Sequence, residues 1–353
     1  MKRLIGFLAV AALLSAGAQV LRRHQNNSLV APAEKQSLRD ALTDNPADAD
    51  AQWSREVNDA VNKSEPLSLK KPDTVSGHRT ADHSLLDESY VVDNPFTKEG
   101  APRTPYCARY GKGAKSLAFI AARHGGDPET YQLIDSEFSR LRPQVAIVEG
   151  IPTSDGASPR QWSVRIDERP GWEEPPRLIK LCVRNGIPFL GGEPDGLQTK
   201  AGVESQGFSA MDFQGFELIR RMASNRVPAE PFEAAFRRAL QGYEQDLQVH
   251  DPAERFSPDS FRRWYRERNG RELDFGALEP WQAKPAAGPD ARYAQRIAAA
   301  AGAVRDAHLA DVIAQALADH DRVLVVYGAG HHIGLRRVLR DLLGDPQTVY
   351  AAQ

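Results

Sequence analysis

Cysteine is nearly absent from this chain: the 353 residues include two, Cys107 and Cys182. That excludes a disulfide-rich scaffold and any Cys-x-x-Cys metal or redox motif. The two thiols are left either to pair in an oxidising compartment or to remain buried and free. Net charge is nearly absent as well, at −2 with 26% charged residues, so no overall field draws the chain to nucleic acid or anionic lipid. The arginine pairs Arg262-Arg263 and Arg336-Arg337 fall at helical spacing beside apolar residues and read as solvated helix faces. No internal repeat stands out. Large apolar residues are sparse over 19–105, where neither a period of 2 nor one of 3.6 is sustained. This stretch reads as a flexible linker with one short helix near 50–62.

The first residues are of another kind. Lys2-Arg3 precedes an uncharged apolar stretch from Leu4 to Leu14, and Ser15-Ala16-Gly17-Ala18 supplies the small residues of a cleavage site. Residues 1–18 therefore read as a signal peptide cut after Ala18. A membrane anchor through 4–21 is the alternative, since Arg22-Arg23 could flank a span. The expected location is outside the cytoplasm: periplasmic, secreted, or anchored facing outward.

Residues 106–353 are long enough for one sizeable core. Four short apolar runs each end on a His or Glu. Ser116–Ala122 precedes Arg123-His124, and Val145–Val148 precedes Glu149-Gly150. Ile187–Leu190 precedes Gly191-Gly192-Glu193-Pro194, and Val323–Tyr327 precedes Gly328-Ala329-Gly330-His331-His332. Such runs are the pattern of fully buried parallel strands. Helical patterns alternate with them: Asp127-Pro128 opens one, Asn185-Gly186 closes another, and a long one spans 290–319. The expected fold is α/β, a mostly parallel open sheet flanked by helices, ending with a helix over 335–343 and a strand over 348–351. Residues 208–287 break the rhythm, with helices expected at 213–223, 231–245 and 261–268. They read as a helical insertion whose Phe256, Phe261, Trp264, Tyr265 and Trp281 make a small core of its own.

In open α/β sheets ligands bind outside the carboxyl ends of the strands, so the two imidazoles and two carboxylates are expected at one rim. Imidazole with carboxylate is the common ligand mix for Zn, Mn, Co or Fe(II). His124 and His331, with Glu193 or Glu149 beside them, could hold a divalent ion that activates water, the other carboxylate acting as general base. Arg305 falls inside the apolar stripe of the long helix (Ala298, Gly302, Leu309, Val312, Ile313, Ala316) and must find a partner there. It could stabilise charge on the attacked oxygen or pair with Glu149 or Glu193 for structure alone. The glycines at 191, 192, 328 and 330 are expected to let the chain turn sharply. His332 reads as a helix N-terminal residue rather than a ligand; His308 and His250 look exposed. A dinucleotide loop at Gly328–Gly334 is disfavoured, being one residue too long and too near the end of the chain.

The ordered motifs resemble the TraB/PrgY, Tiki and GumN group: a strand before Gly-x-x-His, a strand ending in Glu, a Glu-Pro element, a helical Arg-Asp, and a terminal Gly-x-x-His. Here these are Ala121-Ala122-Arg123-His124, Glu149, Glu193-Pro194, Arg305-Asp306 and Gly328-Ala329-Gly330-His331, with Gly334 after the last. Ala121 stands where the group has Gly. The resemblance covers 117–353 apart from the insertion, and implies a metal-dependent hydrolase site. The function expected is an exported hydrolase of a peptide or other amide or ester bond, acting on a peptide or small-molecule substrate. Glu149, Glu193 and Arg305 are its catalytic residues; His124, His331 and Glu193 its ligands to Mn, Co or Zn. The alternative is a non-catalytic protein that binds haem, a metal or a peptide on the same fold.

Overall fold

A computed structural model describes residues 81–87, 103–153, 174–227, 230–247 and 255–351. The expected signal peptide or anchor, the short helix near 50–62, most of the linker and His250 lie outside the described residues. Among the described residues no helix is long and apolar enough to cross a membrane.

Six strands form one mixed sheet: β1 (Tyr106–Lys112), β2 (Lys115–Ala122), β3 (Val145–Pro152), β4 (Phe189–Glu193), β5 (Arg322–Gly328) and β6 (Gln347–Val349). Their order across the sheet is β4-β3-β5-β2-β1-β6. The first four in that order run parallel, while β1 pairs antiparallel with both β2 and β6. The α/β expectation holds, with an antiparallel edge. β1 is a strand that the residue pattern did not disclose, because Arg109 breaks the continuous apolar run that marks the other strands, although Tyr106, Ala108 and Tyr110 alternate regularly into one core. β2 shows why the sheet is layered. Its Leu117, Phe119 and Ala121 enter the core on one face, and Ala118, Ile120 and Ala122 the core on the other. Side chains of a strand alternate between faces, so a continuous apolar run is buried on both.

Helices α1 (Pro128–Leu141) and α2 (Glu174–Arg184) cover one face through Leu133, Ile134, Phe138, Leu178 and Ile179. Asp127 caps α1 by accepting the Thr130 N–H, with Pro128 in the first turn as expected. Further along the chain come α3 (Gly196–Ser205), α4 (Ala210–Ser224), α5 (Phe232–Leu247), α6 (Pro258–Asn269), α7 (Tyr293–Asp319) and α8 (Ala329–Leu343). α7 and α8 cover the other face of the sheet through Leu309, Ile313, Leu335 and Leu339. Helices α4, α5 and α6 form the insertion, close to the expected spans, with Phe236, Phe256, Phe261, Trp264 and Tyr265 in a separate core. Trp281 departs from the expectation: it is 48% exposed, beneath the Arg292 guanidinium at 4.3 Å. The amino half of α7 packs into the insertion's core, through Ile297 and Ala298, and its carboxyl half into the sheet's. One helix thus braces both.

Residues 81–87, inside the stretch read as linker, dock instead on α7 and α8. Asp311 accepts from the Ala81 N–H at 3.0 Å and meets His83 Nε2 at 2.9 Å, and the Asp87 N–H donates to the Gly334 carbonyl. Cys107 and Cys182 are both buried free thiols, the second of the two alternatives.

The topology opens a crevice between β3 and β5. From β3 the chain leaves through α2 to β4; from its neighbour β5 it leaves through α8, on the opposite face, toward β6. Adjacent parallel strands whose connections diverge in this way leave a gap at their carboxyl ends, the usual ligand position of such sheets.

Candidate functional site

Glu149 stands at that gap. Its Oε2 accepts the Gly328 backbone N–H at 2.6 Å and its Oε1 accepts Arg305 Nη2 at 3.2 Å. One carboxylate therefore ties the end of β3 to the end of β5 and to α7. Glu193, at the end of β4, receives Arg305 in a bidentate grip, Nε to Oε2 at 2.6 Å and Nη2 to Oε1 at 2.5 Å. The Gly150 N–H adds a third bond to Oε1 at 3.2 Å. Burial alone would raise the Glu193 carboxyl, but the Arg305 charge and hydrogen bonds outweigh it and bring it down to about 2. The same pair drives Arg305 upward against its own burial, so the guanidinium stays charged throughout. Arg305 was expected to need one partner; it has both acids.

The two histidines approach Glu149 from either side. His331 sits in the first turn of α8, 12% exposed, with Nδ1 bonded to Asp306 Oδ1 at 2.5 Å and Nε2 3.7 Å from Glu149 Oε1. His124 lies just past β2, its side chain 62% exposed, with Nε2 3.6 Å from Glu149 Oε2 and Nδ1 3.7 Å from Glu174 Oε2. The Glu174 carboxylate raises the His124 imidazole above its ordinary value; burial opposes this and Glu149 adds to it. All five expected residues, His124, Glu149, Glu193, Arg305 and His331, therefore converge at the strand ends. They do not play equal parts. Arg305 and Gly150 occupy both oxygens of Glu193, whereas Glu149 is the acid that faces both rings.

Gly191, Gly192 and Gly328 serve close approach rather than sharp turns. A Cβ on Gly328 would lie 2.8 Å from His124 Nε2, one on Gly191 2.2 Å from the Ile151 carbonyl oxygen, and one on Gly192 2.6 Å from the Tyr327 ring. Gly191 and Gly192 lie within β4, and Gly328 has an ordinary negative φ.

Several residues here have no site role in the sequence reading. Asp306 appears there only within the Arg305-Asp306 motif of the family resemblance. Glu174 has no signal there: it opens α2, where an acid is ordinary, yet its carboxylate is 4% exposed and Oε1 has no hydrogen-bond partner. His308, taken as exposed, is half-buried and shares a 2.8 Å hydrogen bond with Thr153 Oγ1; burial lowers its pKa. His332 is buried, its ring nitrogens 2.7 and 2.8 Å from the hydroxyls of Tyr106 and Tyr110. Burial pushes that imidazole down to about 3, so it is a neutral packing residue and not a ligand. The Tyr327 hydroxyl is buried beside the site without a hydrogen-bond partner.

Whether a metal ion suits these residues can be judged from their chemistry. Four carboxylates meet one guanidinium and two imidazoles here: Glu149 and Glu193 bind Arg305, Glu174 stands beside His124 and Asp306 beside His331, so acids outnumber the fixed cation. The Nε2-to-oxygen gaps of 3.6 and 3.7 Å are too long for hydrogen bonds. They are near the roughly 3.4 Å that separates two ligands of one tetrahedral ion with bonds of about 2.1 Å. The donor types suit a divalent cation. Among the described residues, however, no group of three or more His, Cys, Asp or Glu side chains is already arranged to hold one.

No family model, no curated protein and no solved structure matches this chain.

Proposed function

We propose that this chain is an exported, metal-dependent hydrolase of a peptide or other amide or ester bond, of the TraB/Tiki type. One observation carries the reading: His124 and His331 turn Nε2 toward the same carboxylate, Glu149, at 3.6 and 3.7 Å. His331 gives Nδ1 to Asp306, so Nε2 is the ring nitrogen left to face Glu149, at about the separation of two ligands of one ion. His124 and His331 would hold the ion, with Glu149, which faces both rings, beside it as general base; Glu193 is given to Arg305 and anchors that guanidinium.

A divalent ion there supplies Lewis acidity and makes water a nucleophile near neutral pH. The remaining work falls to the chain. Glu149, oriented by Gly328 N–H and Arg305, takes the proton from the attacking water. Arg305, fixed by Glu193 and still 34% exposed, stabilises negative charge developing on the attacked oxygen. Asp306 holds the His331 ring in one tautomer.

The test is elemental analysis and titration of the purified protein with Mn, Co and Zn, beside His331→Ala. Stoichiometric uptake is expected in the native chain and its loss in the variant; unchanged stoichiometry in His331→Ala would remove the mechanism. The exposure of His124 favours one second reading, a binding protein for haem, a metal or a peptide. Saturable binding without product, in activity screens with and without metal, would decide for it.

A further inference from the structure

The two histidine arms look unequal: His331 is pinned by Asp306, whereas His124 has no hydrogen bond to either of its acidic neighbours. Its ring nevertheless lies between two carboxylates at nearly the same distance, Glu149 at 3.6 Å from Nε2 and Glu174 at 3.7 Å from Nδ1. A neutral imidazole has one proton to give, and the choice between these acids decides which nitrogen is left bare.

The two acceptors differ in what they already hold. Glu149 Oε2, the oxygen facing Nε2, accepts the Gly328 N–H at 2.6 Å, and Oε1 accepts from Arg305. Glu174 Oε1 has no hydrogen-bond partner, although the side chain is buried. One oxygen of this buried carboxylate is unsatisfied whereas both oxygens of Glu149 are engaged, so the imidazole proton goes to the less saturated acid, through the Oε2 that faces Nδ1. A carboxylate that merely favoured the positive end of helix α2 could do so from solvent. Burial against an imidazole is not needed for that.

We propose that Glu174 is a positioning residue for His124: it draws the proton to Nδ1 and leaves Nε2 bare toward Glu149, as Asp306 does for His331. The site is then built from two matching carboxylate–imidazole arms that converge on Glu149. One of their acids comes from α2 on one face of the sheet, the other from α7 on the opposite face. The consequence for metal uptake rests on the hydrolase reading; the choice of tautomer does not.

Long-range nitrogen–proton correlation spectra of the metal-free full chain report imidazole tautomers directly. They would be recorded at about pH 9, where imidazole is neutral, with His124→Gln to assign the signal. The native protein should show His124 protonated at Nδ1, and Glu174→Ala should move the proton to Nε2, toward Glu149. Glu174→Gln, which keeps the shape should the alanine variant fail to fold, should give a mixture. Titration with Zn should show affinity lowered about 10- to 100-fold by Glu174→Ala. A His124 already protonated at Nε2 in the native chain would overturn the proposal. So would a tautomer unmoved in both variants while only the melting temperature falls, since that is the behaviour of a helix-capping acid. If the tautomer moves as stated but the native protein takes up no metal, the positioning role stands and the hydrolase reading fails. Metal lost in His331→Ala with an unmoved His124 tautomer gives the reverse.

Discussion

Among the described residues several buried carboxylates are gripped by arginine, Glu137 and Glu217 among them, and the contrast between two others, Asp212 and Glu193, is instructive. In the helical insertion, Asp212 accepts from Trp264 Nε1 at 2.9 Å, from Arg268 Nε at 2.8 Å and Nη2 at 3.1 Å, and from Ser209 N–H at 3.0 Å. One acid meets one guanidinium, the Tyr293 ring lies 4.9 Å beneath that cation, and the donors on Asp212 hold its carboxyl low despite burial. The charge is balanced within the cluster. At the strand ends, Glu193 is gripped as firmly by Arg305, but Glu149 shares that guanidinium and faces two imidazoles, each with a further acid, Glu174 or Asp306, on its other nitrogen. The acids outnumber the fixed cation, and a Glu174 oxygen and the Tyr327 hydroxyl are left without partners. The Asp212 cluster saturates its bonds, whereas the strand-end cluster leaves charge and lone pairs over, which the fold tolerates because Arg305 neutralises the part that is buried.

Removing the arginine should break the comparison most strongly. Arg305→Met strands Glu193 and Glu149 together and should cost about 3–5 kcal/mol in urea unfolding. Asp212→Asn should cost about 1–3 kcal/mol, since the amide keeps part of the hydrogen bonding, and should leave Zn uptake unchanged. Loss of uptake in Asp212→Asn would mean that the two clusters are not separate in function. Acid titration is the next effect in size. The Glu193 carboxyl is depressed from 4.5 to about 2 in the folded chain, so its contribution is complete above pH 4.5 and is lost as the pH falls toward 2. That contribution is on the order of 3 kcal/mol. Stability measured across this range should flatten in Glu193→Gln; a parallel acid limb in the variant would assign the effect to other groups. The smallest effect on stability should come from Gly328→Ala, whose methyl meets the movable His124 ring at 2.8 Å. Unfolding should change by less than about 1 kcal/mol, while Zn affinity should drop about tenfold as that ring is displaced. Equal losses in both would show that Gly328 serves the fold and not the site.

Much of this was legible because it is local. The apolar runs of β2, β3, β4 and β5 mark themselves, and the residues that follow them inherit a shared rim from the parallel order. Arg305 disclosed a need for acid by lying within an apolar stripe. Other features had no local mark. β1 is an edge-side strand that lacks a continuous apolar run, since Arg109 on its other face pairs with Glu137. His332 carries no sign that Tyr106 and Tyr110, more than two hundred residues earlier, would take up both its nitrogens. The glycines were legible as special but not in their reason, since what presses on Gly191 and Gly328 comes from other strands.

The order of residues along the chain determined strands β2 to β5, the long helix, the insertion with its aromatic core, and the four strand ends that carry His or Glu. Hydrophobic period and composition act over a few residues, and they suffice for that. Only the tertiary structure decided how duties are divided at the rim: Glu193 is given to Arg305, Glu149 is shared by two imidazoles, and Asp306 and Glu174 stand behind the rings. Such assignments depend on which donor reaches which oxygen within about 3 Å, a distance set by packing between elements far apart in sequence.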